Sequence, residues 1–443
     1  MNRNVLKITF HNNLFRKSDL MKRLNFLIYS LALLAMSSLI VSCGGSGANG
    51  QLVGVQHRPS WRTEIPYGMT SVPTGTLVIG TSDQDVNFEL TAKPKQVSIG
   101  GFYMDAHEIT NNEYRQFVQY VVDSNAHTIL QHFKQNNSSE EVTSGNPPID
   151  WRMKIDWKNV EVQNQLQAMY LPQDQWVNGK KEIDVSKLVF KYDYLKYKSA
   201  AAAKNSRNKD RRQHVKSYAI AIYPDTLVWT RDFTYSYNEP HTRNYFSHPA
   251  FDDYPLVGVT WDQANAFSHW RTEFWNNYRM KQGRPSVDWF RLPSEFEWEY
   301  AARGGKKNTP YPWGGPYTRN QKGCLLANFK PTRGNYQEDG GFKTVKVDSY
   351  FPNDYGLYNM SGNVAEWTSS AYYENNYAFV HDHNPDLKYD HSKLDNETMK
   401  RKVVRGGSWK DVAYFIQNGT RIYEYADTAK SYIGFRCITS MLK

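Results

Sequence analysis

A stretch of sixteen residues, YGLYNMSGNVAEWTSS at 355–370, brings several oxygen-bearing side chains close together. Asn359, Asn363 and Glu366 supply oxygens, and Gly356 and Gly362 permit turns between them. Calcium takes roughly six to eight oxygens from carboxylates, amides and backbone carbonyls, so such a loop can hold a calcium ion. The same side chains also bond to backbone in a tight turn. The residue types alone leave both interpretations open.

A second stretch, VVRGGSWKDVAYFIQNGTR at 403–421, predicts a strand that meets a tight turn. Two valines precede the pair Gly406 and Gly407, and Trp409 follows them. A turn of this kind often forms the wall of a binding cleft. The stretch contains no Cys and no His, and Asp411 is its only carboxylate. It therefore predicts either the floor of an active site or a scaffold without chemistry of its own.

The beginning of the chain predicts a lipoprotein signal peptide. From Met21 a basic pair is followed by an apolar run that ends in small residues, which is typical of a secretory signal rather than a membrane span. The last four residues, IVSC, resemble a bacterial lipobox and predict lipidation of Cys43. We assign 1–42 to an upstream extension plus the signal peptide, and 43–64 to the lipidated N-terminus and tether. No acidic residue follows directly, which favours the outer membrane with the body facing the periplasm.

Two cysteines, Cys324 and Cys437, remain after lipidation. An oxidising compartment would allow them to pair. Their spacing cannot establish a disulfide, so their redox state stays open.

The net charge argues against a nucleic-acid partner. It is +10, but residues 1–42 carry six Lys or Arg against one Asp, so the remainder carries +5. No basic stripe or nucleic-acid motif accompanies this modest excess.

Capping boxes predict three helices that position these loops. A Ser or Thr stands three places before a Glu or Gln at Thr110 with Glu113, Thr260 with Gln263, and Ser294 with Glu297. In the second helix, Ala264, Phe267 and Phe274 fall on one face, with Trp270 near its edge. Strand patterns occupy 65–105. We therefore expect an α+β body with little regular secondary structure.

Residues 124–250 differ in composition and are predicted to be a long insertion. The segment 192–216 is basic. It is either a contact surface for an acidic partner or anionic head groups, or a solvated helix. The segment 220–250 alternates aromatic and charged residues. Strict alternation predicts a strand with five side chains on one face: Trp229, Arg231, Phe233, Tyr235 and Tyr237.

The following motifs occur in this order along the chain: EITNNEYRQFV, YPLVGVTWDQANAFSHW, RLPSEFEWEYAARGG, YPWG, ANF, YGLYNMSGNVAEWT, VVRGGSW and GFRC. Together they resemble the formylglycine-generating-enzyme (sulfatase-modifying factor) superfamily. The resemblance implies a compact α+β domain distantly like C-type lectins, spanning 65–443 and interrupted by the insertion 124–250.

The resemblance also implies where chemistry would stand. Active members carry two cysteines just after RGGS, which bind copper and oxidise a substrate cysteine. Thiolates both ligate soft Cu(I) and attack sulfur. Here the segment reads Trp409-Lys410-Asp411 and no cysteine follows until Cys437. We therefore expect no catalysis and no copper.

Two calcium sites are implied by the resemblance. The first set comprises Asn359, Gly362, Val364 and Glu366. The second set comprises Asn328, Phe329, Asp339 and Gly341. We expect structural calcium at both sets.

The N-terminal GQLVGVQHRPSW and the insertion resemble the GldK/PorK family of gliding-motility lipoproteins. That family belongs to the type IX protein secretion system. The resemblance implies a periplasmic ring anchored to the outer membrane by lipid, self-associated and built with a GldN/PorN-like partner protein. Because Trp, Tyr and Arg dominate interface hot spots, the five alternating residues of the insertion are the predicted partner contact.

Three alternatives remain. The first is a related scaffold of the GldJ type. The second is a lectin-like binder of glycan, which would bind its ligand beside Trp409 and Trp367. The third is an active sulfatase-modifying oxidase, which the missing cysteine pair opposes.

Overall fold

A computed structural model of the chain describes residues 64–81, 92–134, 148–176, 179–203, 210–235, 239–331, 336–338 and 340–441. The signal peptide and the lipidation at Cys43 lie outside the described residues. Asp339 of the second calcium set and Tyr237 of the predicted contact also lie outside them. In the part of the chain that is described, no helix combines the length and apolar character needed to cross a bilayer.

Helices of very different length are distributed along the chain. The α-helices are α1 (Asn111–Ile129), α2 (Val160–Gln165), α3 (Tyr197–Ala202), α4 (Val228–Asp232), α5 (Pro240–Asn244), α6 (Trp261–Lys281), α7 (Glu295–Ala302) and α8 (Asn376–Phe379). Single turns of 3₁₀ helix cover Leu166–Met169, Gln173–Gln175, Val185–Lys187, Arg211–His214, Pro249–Phe251 and Glu397–Lys400.

The strands are short and form four small sheets. They are β1 (Met69–Val72), β2 (Gly75–Ile79), β3 (Lys95–Ile99), β4 (Phe102–Asp105), β5 (Val189–Leu195), β6 (Val215–Ala221), β7 (Ala365–Ala371), β8 (Arg401–Arg405), β9 (Ile422–Tyr425), β10 (Ile433–Gly434) and β11 (Ile438–Ser440). The sheet orders are β1-β4-β11, β10-β7-β8-β9, β2-β3 and β5-β6, and every described pair is antiparallel except β10 with β7. The fold is therefore α+β, as predicted.

The three predicted helices form, and each begins at its predicted cap. Thr110, Thr260 and Ser294 each accept a hydrogen bond from the backbone three residues on, and the Glu or Gln there bonds back. These reciprocal bonds satisfy two of the backbone donors that a helix start leaves unpaired. Gly304 lies just after α7, the third of these helices, and its φ of 56° is consistent with a glycine that ends the helix.

Aromatic side chains hold α1 against α6 in the main core. Tyr114 stacks on Phe267 at 5.5 Å between ring centroids, and Phe117 meets Trp270 at 5.2 Å. The insertion joins this core, since Phe190 of β5 contacts Phe117 edge-on at 5.2 Å. A second core lies between β2, β3 and α7. The predicted face of α6 needs one correction: Trp270 is buried, whereas Phe274 is 56% exposed.

The aromatic segment of the insertion is helical where the sequence predicted a strand. Residues Val228–Asp232 form α4, and α5 begins shortly afterwards at Pro240. We call α4, α5 and the described residues between them the arm. Trp229 and Phe233 are four positions apart, so a helix places them on one face as readily as a strand does.

Candidate functional site

Two loops that the sequence singled out meet in space. The turn after β8 bonds to the loop at 359–364, because Gly362 N–H donates to the Gly406 carbonyl at 3.0 Å and Trp409 N–H donates to the Asn363 carbonyl at 2.9 Å. Within the turn, Ser408 Oγ donates to Asp411 Oδ2 at 2.6 Å. Burial raises the pKa of the Asp411 carboxyl above its ordinary value, although the Ser408 bonds oppose this. These two loops form the candidate site.

Glu108, a buried carboxylate that the sequence analysis missed, lies against the loop at 359–364. Glu108 is inaccessible to solvent and accepts hydrogen bonds from Asn359 Nδ2 at 3.1 Å and from Asn363 Nδ2 at 3.0 Å. Burial raises the pKa of Glu108 to about 7, while the cation of Arg436 lowers it and nearby Glu366 raises it further. Its only sequence signal is its place directly before the first capped helix.

Glu366 is committed to a buried cation. Its two oxygens receive four donor contacts, from Arg436 Nε at 2.9 and 2.8 Å, from Arg436 Nη2 at 2.6 Å and from Trp298 Nε1 at 2.7 Å. Arg436 Nε carries one hydrogen that it shares between both oxygens, so these contacts come from three N–H groups and engage both oxygens of the carboxylate. Both Glu366 and Arg436 have fully buried side chains.

Two further glutamates form buried pairs of the same kind. Glu295 binds Arg421 through Nε at 2.6 Å, and Glu299 binds both Arg303 and Arg405. The two guanidinium groups lower the pKa of Glu299 against the opposing effect of burial. Charges buried in this way are tolerated because they are paired and hydrogen-bonded. Neither Glu295 nor Glu299 is therefore available as a general acid or base.

The arm covers the turn after β8. Trp409 is only 8% exposed, because Trp229 stacks on it at 6.0 Å and Phe233 stacks on it at 5.7 Å between centroids. Polar contacts reinforce the cover. Lys410 Nζ lies 2.9 Å from Asp232 Oδ1, and Asp232 also accepts a hydrogen bond from Ser431.

A single lysine joins the arm to the loop that follows the ANF motif. Lys343 Nζ lies 4.3 Å from the centroid of the Phe233 ring and forms an ion pair with Glu239 at the start of α5. The Lys343 side chain is 5% exposed, so the cation–π contact is largely desolvated. The turn after β8 is thus covered by the arm of the same chain.

The two described cysteines lie away from this contact and are both free. Cys437 is buried in the main core, where its Sγ lies 3.4 Å from Ser268 Oγ. Burial raises the pKa of the Cys437 thiol to about 12, so the thiolate is not populated at neutral pH. Cys324 is exposed. The disulfide that the sequence left open is not formed.

Comparison with known proteins agrees with this architecture. The family model described as the sulfatase-modifying factor enzyme 1-like domain matches residues 57–441. The chain belongs to this family. The formylglycine-generating enzyme of Bos taurus is 26% identical over 390 residues, which cover 87% of this chain and 78% of that protein.

Other proteins are similar to this chain over different spans. The inactive C-alpha-formylglycine-generating enzyme 2 of Bos taurus is 34% identical over 191 residues, or 42% of this chain and half of that protein. The serine/threonine-protein kinase pkn1 of Chlamydia pneumoniae is 31% identical over 195 residues, or 43% of this chain and 24% of that protein. The solved structure of PvdO from Pseudomonas aeruginosa covers 84% of this chain and 94% of its own, with 17% identity and a TM-score of 0.41.

One side-chain oxygen of the second calcium set has no hydrogen-bond partner among the described residues. Asn328 Oδ1 is buried and has no hydrogen-bond partner in the described structure. A Cβ atom at Gly341 would lie 2.9 Å from this oxygen and 2.6 Å from Val345, so only glycine leaves the space open. Buried polar atoms are normally satisfied. Asn328 of this set therefore has a buried oxygen that a calcium ion could bind.

The first calcium set does not fit a calcium ion in its present arrangement. Both carboxylate oxygens of Glu366 are engaged by Arg436 and Trp298, so Glu366 has no free oxygen to offer a cation. A calcium ion at Glu366 would have to displace the guanidinium of Arg436. The Arg436 guanidinium supplies beside Glu366 the positive charge that a cation would bring.

The structure separates the residues predicted to contact a partner. Trp229 and Phe233 face inward, toward Trp409. Arg231 is 63% exposed and pairs with Asp225 at 2.9 Å, and Tyr235 is 99% exposed. The prediction that these side chains share one face of a strand is therefore wrong. Of the four that the structure describes, only Arg231 and Tyr235 are exposed to a partner.

Proposed function

We propose that this chain is a non-catalytic outer-membrane lipoprotein of the type IX secretion and gliding machinery. The observation that carries the non-catalytic part is the turn after β8. Where active relatives are expected to carry two thiols, this chain has Trp409, and the arm covers it. The remaining thiols do not compensate, since Cys437 is protonated in the core.

One of the relatives is itself named as inactive, which is a precedent for a non-catalytic protein with this domain. Removing thiols from a stable fold leaves a binding module, because fold alone does not fix activity. The resemblance of the N-terminus and insertion to GldK/PorK supports the ring assignment over a GldJ-type scaffold. Lipidation of Cys43 anchors the chain, with its body in the periplasm.

The proposed assembly is a ring with a GldN/PorN-like partner. A closed ring requires a heterologous interface between two different patches. The exposed outer side of the arm, with Arg231 and Tyr235, supplies one such patch. Calcium is proposed at the second set alone, as a structural ion that would bind the Asn328 amide oxygen.

A glycan-binding role is not favoured by the arrangement of the tryptophans. Sugar rings stack on exposed aromatic faces, whereas Trp367 is fully buried and Trp409 is covered by the arm. The cleft that a lectin-like function would need is occupied by the chain itself.

The test is gentle detergent extraction of the native outer membrane, followed by sizing and mass spectrometry of the particle that carries this chain. A very large particle with one dominant partner supports the proposal. Tyr235→Ala should release the partner, and Tyr317→Ala, which removes a comparably exposed tyrosine, should not. A lone lipoprotein in every mild detergent would refute the ring.

A further inference from the structure

The C-terminal half of α6 presents an aromatic stripe to solvent. Phe274 and Tyr278 are 56% and 52% exposed, and with Lys281 they recur at i, i+4 and i+7 on one side of the helix. The opposite side is buried, as Thr272 and Arg279 show. Large aromatic side chains that line up on a solvent face indicate a surface made for contact.

Stacked rings extend this stripe onto the neighbouring elements. Phe274 stacks on Trp270 at 5.3 Å, Trp270 lies 6.0 Å from Tyr120 of α1, and Tyr120 stacks on Trp151 at 4.9 Å. Trp151 is itself 43% exposed. We call the exposed Trp151, Phe274 and Tyr278 the aromatic face.

Basic side chains surround the aromatic face. Arg152 and Lys154 are exposed beside Trp151, and Lys281 and Arg284 are exposed at the end of α6. Part of this charge is balanced, because Arg152 pairs with Asp150 at 3.0 Å and Arg284 shares Glu64 with Arg279. Lys154 and Lys281 add two further positive charges at this edge, and the exposed Glu273, which lies near Tyr120, adds one negative charge. Aromatic rings with flanking Lys and Arg are the composition that proteins present to a membrane interface.

Glu64, which follows the predicted tether, lies at this edge of the domain. Glu64 accepts from Arg279 at 2.9 Å and from Arg284 at 2.9 Å, which fixes the start of the domain to the end of α6. Cys43 precedes Glu64 by 21 positions, and a chain of that length spans at most about 70 Å. A lipid on Cys43 therefore lets the bilayer reach this edge, and it is the aromatic and basic side chains, not the length of the tether, that distinguish this edge from others.

We propose that the aromatic face lies against the surface of the bilayer that holds the Cys43 lipid. Trp151, Phe274 and Tyr278 enter the head-group region, and the flanking Arg and Lys side chains contact anionic phospholipids. This inference rests on the proposed lipidation. It goes beyond it by fixing which side of the domain faces the membrane, so that the covered turn after β8 is not what the bilayer contacts.

The experiment uses the full lipoprotein with Cys324→Ser, which removes the exposed thiol and leaves the buried Cys437 unreactive. Tyr278→Cys is compared with Tyr317→Cys, because Tyr317 is 76% exposed on a loop distant in sequence from α6. Both carry a nitroxide label, and the protein is reconstituted in phosphatidylethanolamine vesicles with or without phosphatidylglycerol. Collision of the label with lipid-soluble oxygen and with a water-soluble nickel chelate reports its position.

The label at 278 should show a several-fold higher ratio of oxygen to nickel collisions than the label at 317, and phosphatidylglycerol should increase it. Equal ratios, in protein that floats with the vesicles and carries lipid on Cys43 by mass spectrometry, would overturn the inference alone. Low collision with both reagents at 278 would show a protein contact and overturn it too. Protein that neither floats nor carries lipid would refute the proposed anchoring, and the inference with it.

Discussion

Replacing Trp409 with alanine should loosen the arm from the turn after β8. Trp409 is 8% exposed, and the rings of Trp229 and Phe233 lie on it at 6.0 and 5.7 Å. The substitution deletes the common partner of both arm rings. The ion pairs Lys410–Asp232 and Lys343–Glu239 remain, but Asp232 and Glu239 then hold an arm whose apolar side is open to water.

The size of the effect divides into a global and a local part. Truncating a buried Trp to Ala typically lowers the free energy of unfolding by about 3–5 kcal/mol. Each aromatic pair contributes about 0.5–1.5 kcal/mol beyond burial, so the two pairs assign about 1–3 kcal/mol to the arm itself. Because about 1.4 kcal/mol corresponds to a factor of ten, amides of α4 should exchange about fivefold to 150-fold faster.

Native-state hydrogen exchange with mass spectrometry measures this directly, through peptides that cover Val228–Phe233. Trp289→Ala is the matched control, since it also deletes an indole but lies outside the arm and is 37% exposed. A double-mutant cycle of Trp409→Ala with Phe233→Ala isolates their contact, with an expected coupling of about 0.5–1.5 kcal/mol.

The reasoning would be refuted by a specific pattern. If Trp409→Ala lowers global stability but leaves exchange of α4 unchanged, the arm is held by its own contacts and Trp409 is only a core residue. A coupling energy indistinguishable from zero would say the same. Either result would remove the cover of the turn as support for a non-catalytic role.

Three further outcomes are expected. Burial raises the pKa of Glu108 from 4.5 to about 7, so the folded state retains a proton that the unfolded state loses. The free energy of unfolding should therefore fall by about 3 kcal/mol between pH 4.5 and 7 and then level off. Glu108→Gln should flatten that part of the pH profile, as measured by denaturant unfolding. Arg436→Met leaves Glu366 buried without its cation and should lower the free energy of unfolding by about 3–5 kcal/mol, whereas a conservative change at the exposed Arg152 should have little effect. In the folded protein a maleimide should modify Cys324, and Cys437 should react only after unfolding, which peptide mass spectrometry can follow.

The helices were predictable because their signals are local. A capping box needs only residues three apart, and Thr110, Thr260 and Ser294 each start the helix that the spacing predicts. The meeting of the two site loops was not predictable in detail. It depends on backbone bonds between residues such as Trp409 and Asn363, which carry no side-chain signature.

The arm and the buried ion pairs escaped sequence reasoning for a related reason. Trp229 and Phe233 satisfy both a strand and a helix period, and their contact with Trp409, 176 or more positions away, decides between them. Glu295 reads as an ordinary first-turn acid of α7, but its partner Arg421 stands 126 positions further on. Long-range pairing of charges leaves no pattern within one segment.

Gly407 and Ser408 show that the RGGS motif has a structural reason of its own. Gly407 has a φ of 63°, and a Cβ atom there would lie 2.7 Å from the Phe415 carbonyl oxygen. Ser408 closes the same turn by binding Asp411. Each of these residues is therefore required by the turn itself, whether or not a thiol follows it. A match to RGGS consequently reports that the fold is preserved, and only the residues placed after it, here Trp409 under the arm, bear on whether a reaction takes place.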